Sequence, residues 1–143
     1  MLAASLPDLD GFTYFGSDNA YGEYHHKLSH NLMVSILVTV VLAVFSSHRV
    51  KAGLIYFLLF HCHLVMDYFG SGPGWGIYYF WPFSSWIIDN PHAWEFVSWQ
   101  NITAYLVCLA WTLAIVKWQG RTPVEYVLPR IDAQVVELLC RKK

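Results

Sequence analysis

The pattern of hydrophobic and polar positions is dominated by three long stretches without aspartate, glutamate, lysine or arginine. They cover residues 28–48, 52–66 and 96–116. A membrane core about 30 Å thick requires about 20 mostly apolar residues of helix. The first and third stretches meet this length, and the second meets it when it extends through residues 67–69. The pattern therefore predicts an all-α fold, a polytopic transmembrane helical bundle with about three spans.

Buried helices of a soluble protein would show the same runs, but the composition argues against that alternative. The chain has 143 residues, of which 56% are hydrophobic and 13% are charged, whereas an average soluble domain has about 25% charged residues. A chain of this size has too little other surface to cover three such helices. The same proportions disfavour a disordered chain.

The distribution of charge predicts how the chain lies in the membrane. Arg49 and Lys51 lie between the first two stretches and six further basic residues follow the third, so eight of the nine basic residues fall on one side. The positive-inside rule assigns that side to the cytoplasm. We therefore expect an integral protein of the bacterial inner (plasma) membrane, with its N-terminus outside and its C-terminus in the cytoplasm. The net charge of −1 provides no basic face for nucleic acid.

Two segments outside the apolar stretches have a composition of their own. Residues 68–95 combine glycine and proline, which interrupt helices, with aromatic rings that suit a membrane–water interface. Residues 129–143 form a basic tail, which we expect to be a short amphipathic helix either on the anionic cytoplasmic leaflet or packed on the protein. We accordingly predict a membrane-embedded helical domain over residues 1–128, followed by this tail. The apolar residues of the tail that recur at helical spacing are Ile131, Val135, Leu138 and Leu139.

Ionisable side chains in or beside membrane spans are costly and often mark a functional site. The first predicted span runs from outside to inside and the second returns, so the start of the first and the end of the second share one face of the membrane. The N-terminal acids lie at that face as well. Three separate segments therefore bring together Asp8 and Asp10; His25, His26 and His30; and His61, His63 and Asp67.

The spacing of these residues favours metal binding. His63 and Asp67 are four residues apart, as are His26 and His30, and such pairs share one face of a helix. Neutral imidazole and carboxylate oxygen suit zinc, manganese or iron. Each feature taken alone has a simpler explanation, because an Asp-x-Asp after proline often forms a turn or helix cap, and histidines at a helix entrance are often interfacial. The combination leads us to predict a metal site.

The remaining histidines and the cysteines are expected outside this site. His61 is two residues from His63 and points away from it on a helix, so we expect it to pack or to support a ligand. His48 falls on the opposite, cytoplasmic side, and His92 falls in the aromatic loop. The three cysteines are too widely spaced for a disulfide framework or a cysteine zinc site; they are Cys62, Cys108 and Cys140.

At these motifs the chain resembles the membrane-bound, metal-dependent hydrolases of the YdjM-like group. The pattern of that family runs LPD-x-D, H-R-x-x-[ST]-H-S and H-x-x-x-D, followed by a glycine-bearing loop and W-P-F. The corresponding segments occur here in the same order over residues 5–84, as Leu6–Asp10, His25–Asn31, His63–Asp67, the loop with Gly72 and Gly76, and Trp81–Phe83.

The resemblance implies a small helical membrane protein with a hydrolytic divalent-metal site. Two positions depart from the family pattern, since His26 replaces arginine, for which Lys27 compensates, and Asn31 replaces serine. Family members usually begin with a further apolar helix, so we expect this chain to lack that helix and one ligand on it. The matching positions imply as ligands Asp8, Asp10, His25, His30, His63 and Asp67.

These observations lead to the hypothesis of a membrane-embedded hydrolase that cleaves an ester or phosphoester with a metal-activated water. Asp8 or Asp10 would orient that water or act as a general base, and zinc or manganese is the expected ion. Membrane lipid is the expected surrounding, and the aromatic loop at the interface suits a lipid-linked substrate.

Three other functions remain open. A metal-binding or transport protein would use the same ligands without hydrolysis. A haem protein would use His30 and His63 as axial ligands. A non-catalytic structural subunit of a membrane assembly would need no complete site.

Overall fold

The regular structure of the chain is helical. The computed structural model describes residues 2–15, 18–122 and 129–140. These ranges contain no β-strand, only an isolated antiparallel bridge between Ile77 and Ile88. The predicted all-α fold is confirmed. In chain order the helices are α1 (Leu2–Ser5), the 3-10 helix η1 (Pro7–Phe15), α2 (Asp18–Tyr24), α3 (Leu32–Val44), α4 (Arg49–Gly70), α5 (Trp99–Gln119) and α6 (Pro129–Cys140).

Two of these helices are long and apolar enough to cross a membrane. They are α4, with 22 residues, and α5, with 21 residues, and they correspond to the second and third predicted spans. The first predicted span, residues 28–48, is shorter in the structure, because α3 has 13 residues and a length of about 20 Å. A polar cap stops α3 from extending toward residue 28, and the turn into α4 ends it on the other side.

Asn31 is the cap that fixes the start of α3. Its Oδ1 atom accepts a hydrogen bond from the backbone N–H of Val34 at 2.9 Å. Its Nδ2 atom donates to the carbonyl oxygens of Lys27 and Leu28 at 3.1 and 2.9 Å. The side chain is fully buried, so it joins the preceding turn to the helix without help from water.

We expect Asn31→Ala to lower the free energy of unfolding by about 2–4 kcal/mol, since it removes a helix cap and leaves buried backbone groups without partners. Thermal or denaturant unfolding of the protein in detergent measures this loss. Ser98→Ala is the matched control, because Ser98 Oγ caps α5 through a single hydrogen bond from Asn101 N–H at 3.3 Å and should cost only about 1 kcal/mol. Equal losses in the two variants would contradict the special role of Asn31.

The chain divides into two compact units, Met1–Phe96 and Val97–Lys143. In the first unit α3 and α4 pack side by side, and the four residues between them make the two helices antiparallel neighbours. The buried core combines Phe60 and Leu64 of α4 with Ile77 of the following loop. This arrangement places the start of α3 and the end of α4 at the same end of the unit. The predicted division at residue 128 stays a prediction.

The loop over residues 71–98 is held to that same end by backbone hydrogen bonds. Ile77 and Ile88 exchange two hydrogen bonds of 2.9 Å. Gly76 allows the two segments of the loop to approach there, because a Cβ atom at this position would clash with Ile87 Cγ2. Leu32 N–H donates to the carbonyl oxygen of Tyr79 at 2.9 Å, so the loop is attached where α3 begins.

The second unit contains α5 and α6. Gly120, at a φ of 63°, ends α5 in the left-handed conformation that glycine adopts without strain. Asp132 Oδ1 on α6 accepts a hydrogen bond from Thr122 N–H at 2.6 Å. The predicted tail helix is present as α6, with Leu138 80% exposed, whereas the basic residues 141–143 lie outside the described residues.

Candidate metal centre

The N-terminal acids are carried by the 3-10 helix η1, which is tied to the segment before α3 by one serine. Ser29 Oγ donates to the carbonyl oxygen of Pro7 and accepts from Asp10 N–H at 3.1 Å. Ser29 N–H in turn donates to Asp10 Oδ2 at 3.3 Å. These reciprocal bonds hold Asp8 and Asp10 against the histidines that follow in the sequence.

The histidines before α3 lie in a turn rather than in a helix. His26 has a φ of 64°, a left-handed conformation that reverses the chain and is uncommon outside glycine. Its carbonyl oxygen accepts from Tyr78 N–H at 3.2 Å, and its Nδ1 atom donates to the carbonyl oxygen of Trp75 at 3.1 Å. The aromatic loop therefore holds this turn in place and sets the directions of His25 and His30.

The last two turns of α4 contribute the third part of the site. His63 Nε2 lies 3.0 Å from Asp67 Oδ2, which confirms that these residues share one helical face. His30 Nε2 lies 3.2 Å from the same Asp67 oxygen. Asp8 Oδ1 lies 3.3 Å from His63 Nε2 and 4.0 Å from His30 Nε2. Four side chains from three segments are thus linked by donor-atom contacts of 3.0 to 4.0 Å.

These distances suit a shared metal ion as well as a set of ion pairs. Tetrahedral bonds of about 2.0–2.2 Å place neighbouring ligand atoms about 3.3–3.6 Å apart, and the contacts above bracket that range. Within the described part of the chain, three of the four atoms are buried and have no hydrogen-bond partner of suitable geometry; they are His30 Nε2, His63 Nε2 and Asp67 Oδ2. Buried polar atoms are nearly always paired, so His30, His63 and Asp67 are residues that could hold a metal ion.

Asp10 and His25 form a pair beside these four atoms. Asp10 is 4% exposed and receives hydrogen bonds from His25 Nδ1 at 2.8 Å and from His30 Nδ1 at 2.9 Å. A carboxylate only accepts, so both rings carry their proton on Nδ1. Of the six predicted ligands, the structure thus links Asp8, His30, His63 and Asp67 through their donor atoms. Asp10 and His25 contact each other and form with His30 a further group that could hold a metal ion.

The electrostatics of the buried residues before α3 favour a positive charge between the acids. Burial alone would raise the pKa of Asp10, but the hydrogen bonds from His25 and His30 outweigh it and hold that pKa below its usual range. Burial lowers the pKa of His30, whereas the carboxylates of Asp10 and Asp67 raise it, with a net increase. The position occupied by the His30 ring is thus one where a cation is stabilised.

His26 is a further donor that the predicted ligand set omits. Its ring lies in a group with His30 and Asp67 whose ligand atoms are within 4.8 Å of one another. Burial, together with the charge of His30, lowers the pKa of His26 to about 4, so the ring is neutral at pH 7. The four-residue spacing between His26 and His30 was the sequence signal for this histidine. The contacts of Ser29 and Trp75 could not be predicted, because no sequence signal distinguished these two residues from their neighbours.

A cavity of about 220 Å³ opens beside the four donor atoms. Asp8 and Asp67, which belong to the donor cluster, line this cavity together with His25, the partner of Asp10. Asp8 has a side chain that is 60% exposed, so this side of the cluster is accessible. A second cavity of about 240 Å³ shares His25 and Trp75 with the first.

The comparisons with known proteins give a family for this fold and site. The model of the YdjM inner membrane protein family matches residues 1–131, which is most of the chain and includes every residue of the candidate centre. The chain belongs to the YdjM inner membrane protein family. Searches among curated proteins and among solved structures gave no match. Membership of this family and the two span-length helices make the chain a membrane protein.

Two other histidines of this YdjM family member, His61 and His48, lie outside the candidate centre. His61 donates from Nδ1 to the carbonyl oxygen of Phe57 and accepts at Nε2 from the Tyr79 hydroxyl, both at 2.9 Å, so its ring joins α4 to the aromatic loop. His48 lies at the start of α4, at the end far from His63. The rings of His30 and His63 are 5.4 Å apart between centroids, which leaves no room for a haem between them.

Proposed function

We propose that this protein is a membrane-embedded, metal-dependent hydrolase of an ester or phosphoester, with zinc or manganese as its ion. The observation that carries the proposal is the convergence of four donor atoms, three of them buried without hydrogen-bond partners. Imidazole nitrogen with carboxylate oxygen is the donor set that these ions accept. The ligands we propose are Asp8, His30, His63 and Asp67.

The cavity beside the ligands favours catalysis over a purely structural ion. Structural sites are closed by four protein ligands, whereas catalytic sites keep a position open for water. His30, His63 and Asp67 would hold the ion from the buried side, and the exposed Asp8 on the cavity side would leave room there for a water as a further ligand. A bound divalent cation lowers the pKa of a coordinated water and stabilises negative charge that develops on a substrate oxygen. Asp8 is well placed to orient the attacking water.

Asp10, predicted as a ligand and as a residue that orients the water or acts as a general base, has a geometry that suits a positioning role. Its Oδ2 atom accepts from His30 Nδ1, so the opposite nitrogen, Nε2, is directed to Asp67. Carboxylates that orient metal-binding histidines in this way are general partners of zinc sites. We propose that Asp10 acts on the ion through His30.

His25 is the residue we propose for proton transfer. Asp10 Oδ1 holds its Nδ1–H at 2.8 Å, which leaves Nε2 as the nitrogen for chemistry in the cavity that Asp8 and Asp67 also line. Nε2 would accept a proton from the attacking water and return it to the leaving oxygen as the ester bond breaks. The carboxylate keeps the ring in the tautomer that this transfer requires.

The location of the site leads to a proposal about its substrate and side of the membrane. His63 and Asp67 lie in the last two turns of α4, opposite the basic residues at its start. By the positive-inside rule the site is then on the outer face, with the N-terminus outside and the C-terminus cytoplasmic. A lipid or lipid-linked ester meets the protein at that level.

Removal of the metal tests the proposed function. We expect the protein purified in detergent to hold zinc or manganese, and a chelator followed by dialysis to abolish hydrolysis of p-nitrophenyl acetate until the ion is restored. His63→Gln should lose the ion, whereas His61→Gln, on the same helix, should keep it. Elemental analysis and the ester assay measure both effects.

Two outcomes would contradict the proposal in different ways. A wild-type protein that binds neither ion when either is supplied would remove the metal centre. A protein that binds the ion but hydrolyses no ester or phosphoester would leave a non-catalytic metal-binding or structural subunit.

A further inference from the structure

We propose that the site acts on neutral carboxylic esters and discriminates against phosphoesters. This inference rests on the proposed function and concerns the substrate class of the same cavity. It depends on which charges the first unit can supply to a bound substrate.

The first unit has few basic residues, and none of them is among the residues that line the cavity. Residues 1–96 contain three lysines and arginines, namely Lys27, Arg49 and Lys51. Arg49 and Lys51 are in the first turn of α4, and the twelve residues from Lys51 to His63 separate them from the site by about 18 Å along the helix. Neither can reach a substrate beside Asp67.

Lys27 is occupied elsewhere. Its ammonium group lies over the rings of Tyr24 and Tyr78, at 5.9 and 5.4 Å from their centroids, in the range of cation–π contacts. Among the described residues that line the cavity of about 220 Å³ there is no lysine or arginine. Its walls are made by Asp8, Tyr21, His25, Asp67, Trp75 and Phe96, among others.

The charge balance then decides between the two ester classes. We take the site to hold one divalent cation, which the carboxylates of Asp8 and Asp67 neutralise, since the Asp10 carboxylate already has His25 and His30 as hydrogen-bond partners. A phosphoester would add one or two negative charges that no side chain offsets, and an uncompensated charge in a partly apolar cavity is costly. Phosphoryl-transfer sites usually supply basic side chains or further metal ions for this purpose.

A carboxylic ester can bind in the same cavity without adding an uncompensated negative charge. It is neutral when it binds, and the single negative charge that develops on its carbonyl oxygen during attack is offset by the cation and by proton transfer at His25. Tyr21 and Trp75 add apolar ring surface to the cavity wall. That surface suits the acyl or alkyl part of the ester.

Ligand binding to the cobalt-loaded protein in detergent tests this inference without a known substrate. Acetohydroxamate carries one negative charge when it binds a metal, the same charge as the oxyanion that forms during ester hydrolysis. Inorganic phosphate carries between one and two negative charges. We expect acetohydroxamate to perturb the cobalt absorption bands with a Kd about 10-fold or more below that of phosphate. Phosphate that binds as tightly as acetohydroxamate, or failure of both to bind, would overturn the inference.

A lysine introduced into the cavity wall provides a second test of this inference. Ser71 lines the cavity, so Ser71→Lys should tighten phosphate binding by about 10-fold or more and change acetohydroxamate binding less. His48→Lys adds the same charge at the far end of α4 and should change neither. Phe96→Lys replaces Ser71→Lys if the latter does not bind cobalt. Unchanged phosphate affinity in a cobalt-binding cavity variant would refute the charge argument, whereas a wild-type protein that binds no cobalt would refute the metal centre itself.

Discussion

Asp67→Asn should remove the metal ion from the protein while leaving its helices and membrane insertion intact. The Asp67 Oδ2 atom contacts both His30 Nε2 and His63 Nε2, so it is the donor through which the two histidines are joined. Asparagine keeps the shape but loses the negative charge that offsets the cation. We expect affinity to fall by more than the roughly 10- to 100-fold that loss of an outer partner costs.

Elemental analysis and circular dichroism of the detergent-purified variant measure the two parts of this expectation. Asp89→Asn is the matched control, because Asp89 is an exposed acid of the aromatic loop and lies outside the donor cluster. A variant at Asp67 that retains the ion at wild-type stoichiometry would refute the assignment of this carboxylate as a ligand.

His25→Gln should lower the rate of ester hydrolysis by roughly 10²- to 10⁴-fold, the usual contribution of a general acid–base group, with the metal retained. Asp10 occupies the Nδ1 side of the His25 ring, so removal of the ring affects proton transfer and leaves the four donor atoms in place. Turnover of p-nitrophenyl acetate at saturating metal measures the first effect, and metal competition measures the second.

Asp10→Asn separates this role from that of a ligand. Because Asp10 contacts His30 as well as His25, its loss should weaken metal binding by about 10- to 100-fold without abolishing it. Loss of the ion from His25→Gln would show that His25 is a ligand and contradict the proposed division of roles.

The convergence of acids and histidines could be predicted from the sequence because it depends on simple rules. Two apolar helices joined by a short turn run in opposite directions, so His30 and Asp67 had to lie at one end. The four-residue interval between His63 and Asp67 fixed their common face. These statements need only helical periodicity and the order of the segments.

The division of the six predicted ligands into two groups could not be predicted in this way. It depends on which ring nitrogen of His25 and His30 faces Asp10, and that choice is set by contacts distant in the sequence. Ser29 ties Asp10 to the turn, and the Trp75 carbonyl oxygen holds His26 in a left-handed conformation. A pattern of residue types carries no information on ring orientation.

The length of α3 could not be predicted from the sequence pattern either. The apolar run continues from residue 28 to residue 48, but hydropathy does not register that Asn31 has backbone partners on both sides. The cap therefore makes the helix begin within the apolar run, at Leu32. The same limit applies to the loop, where the pairing of Ile77 with Ile88 has no periodic signal.

The short α3 has a consequence for the lipid around it. Its roughly 20 Å of helix is about 10 Å less than the hydrocarbon thickness of a typical bilayer. Such hydrophobic mismatch is relieved when the surrounding leaflets become locally thinner. Glycerol ester linkages of neighbouring lipids would then be drawn down toward the level of His30, where the proposed hydrolase would meet an ester substrate.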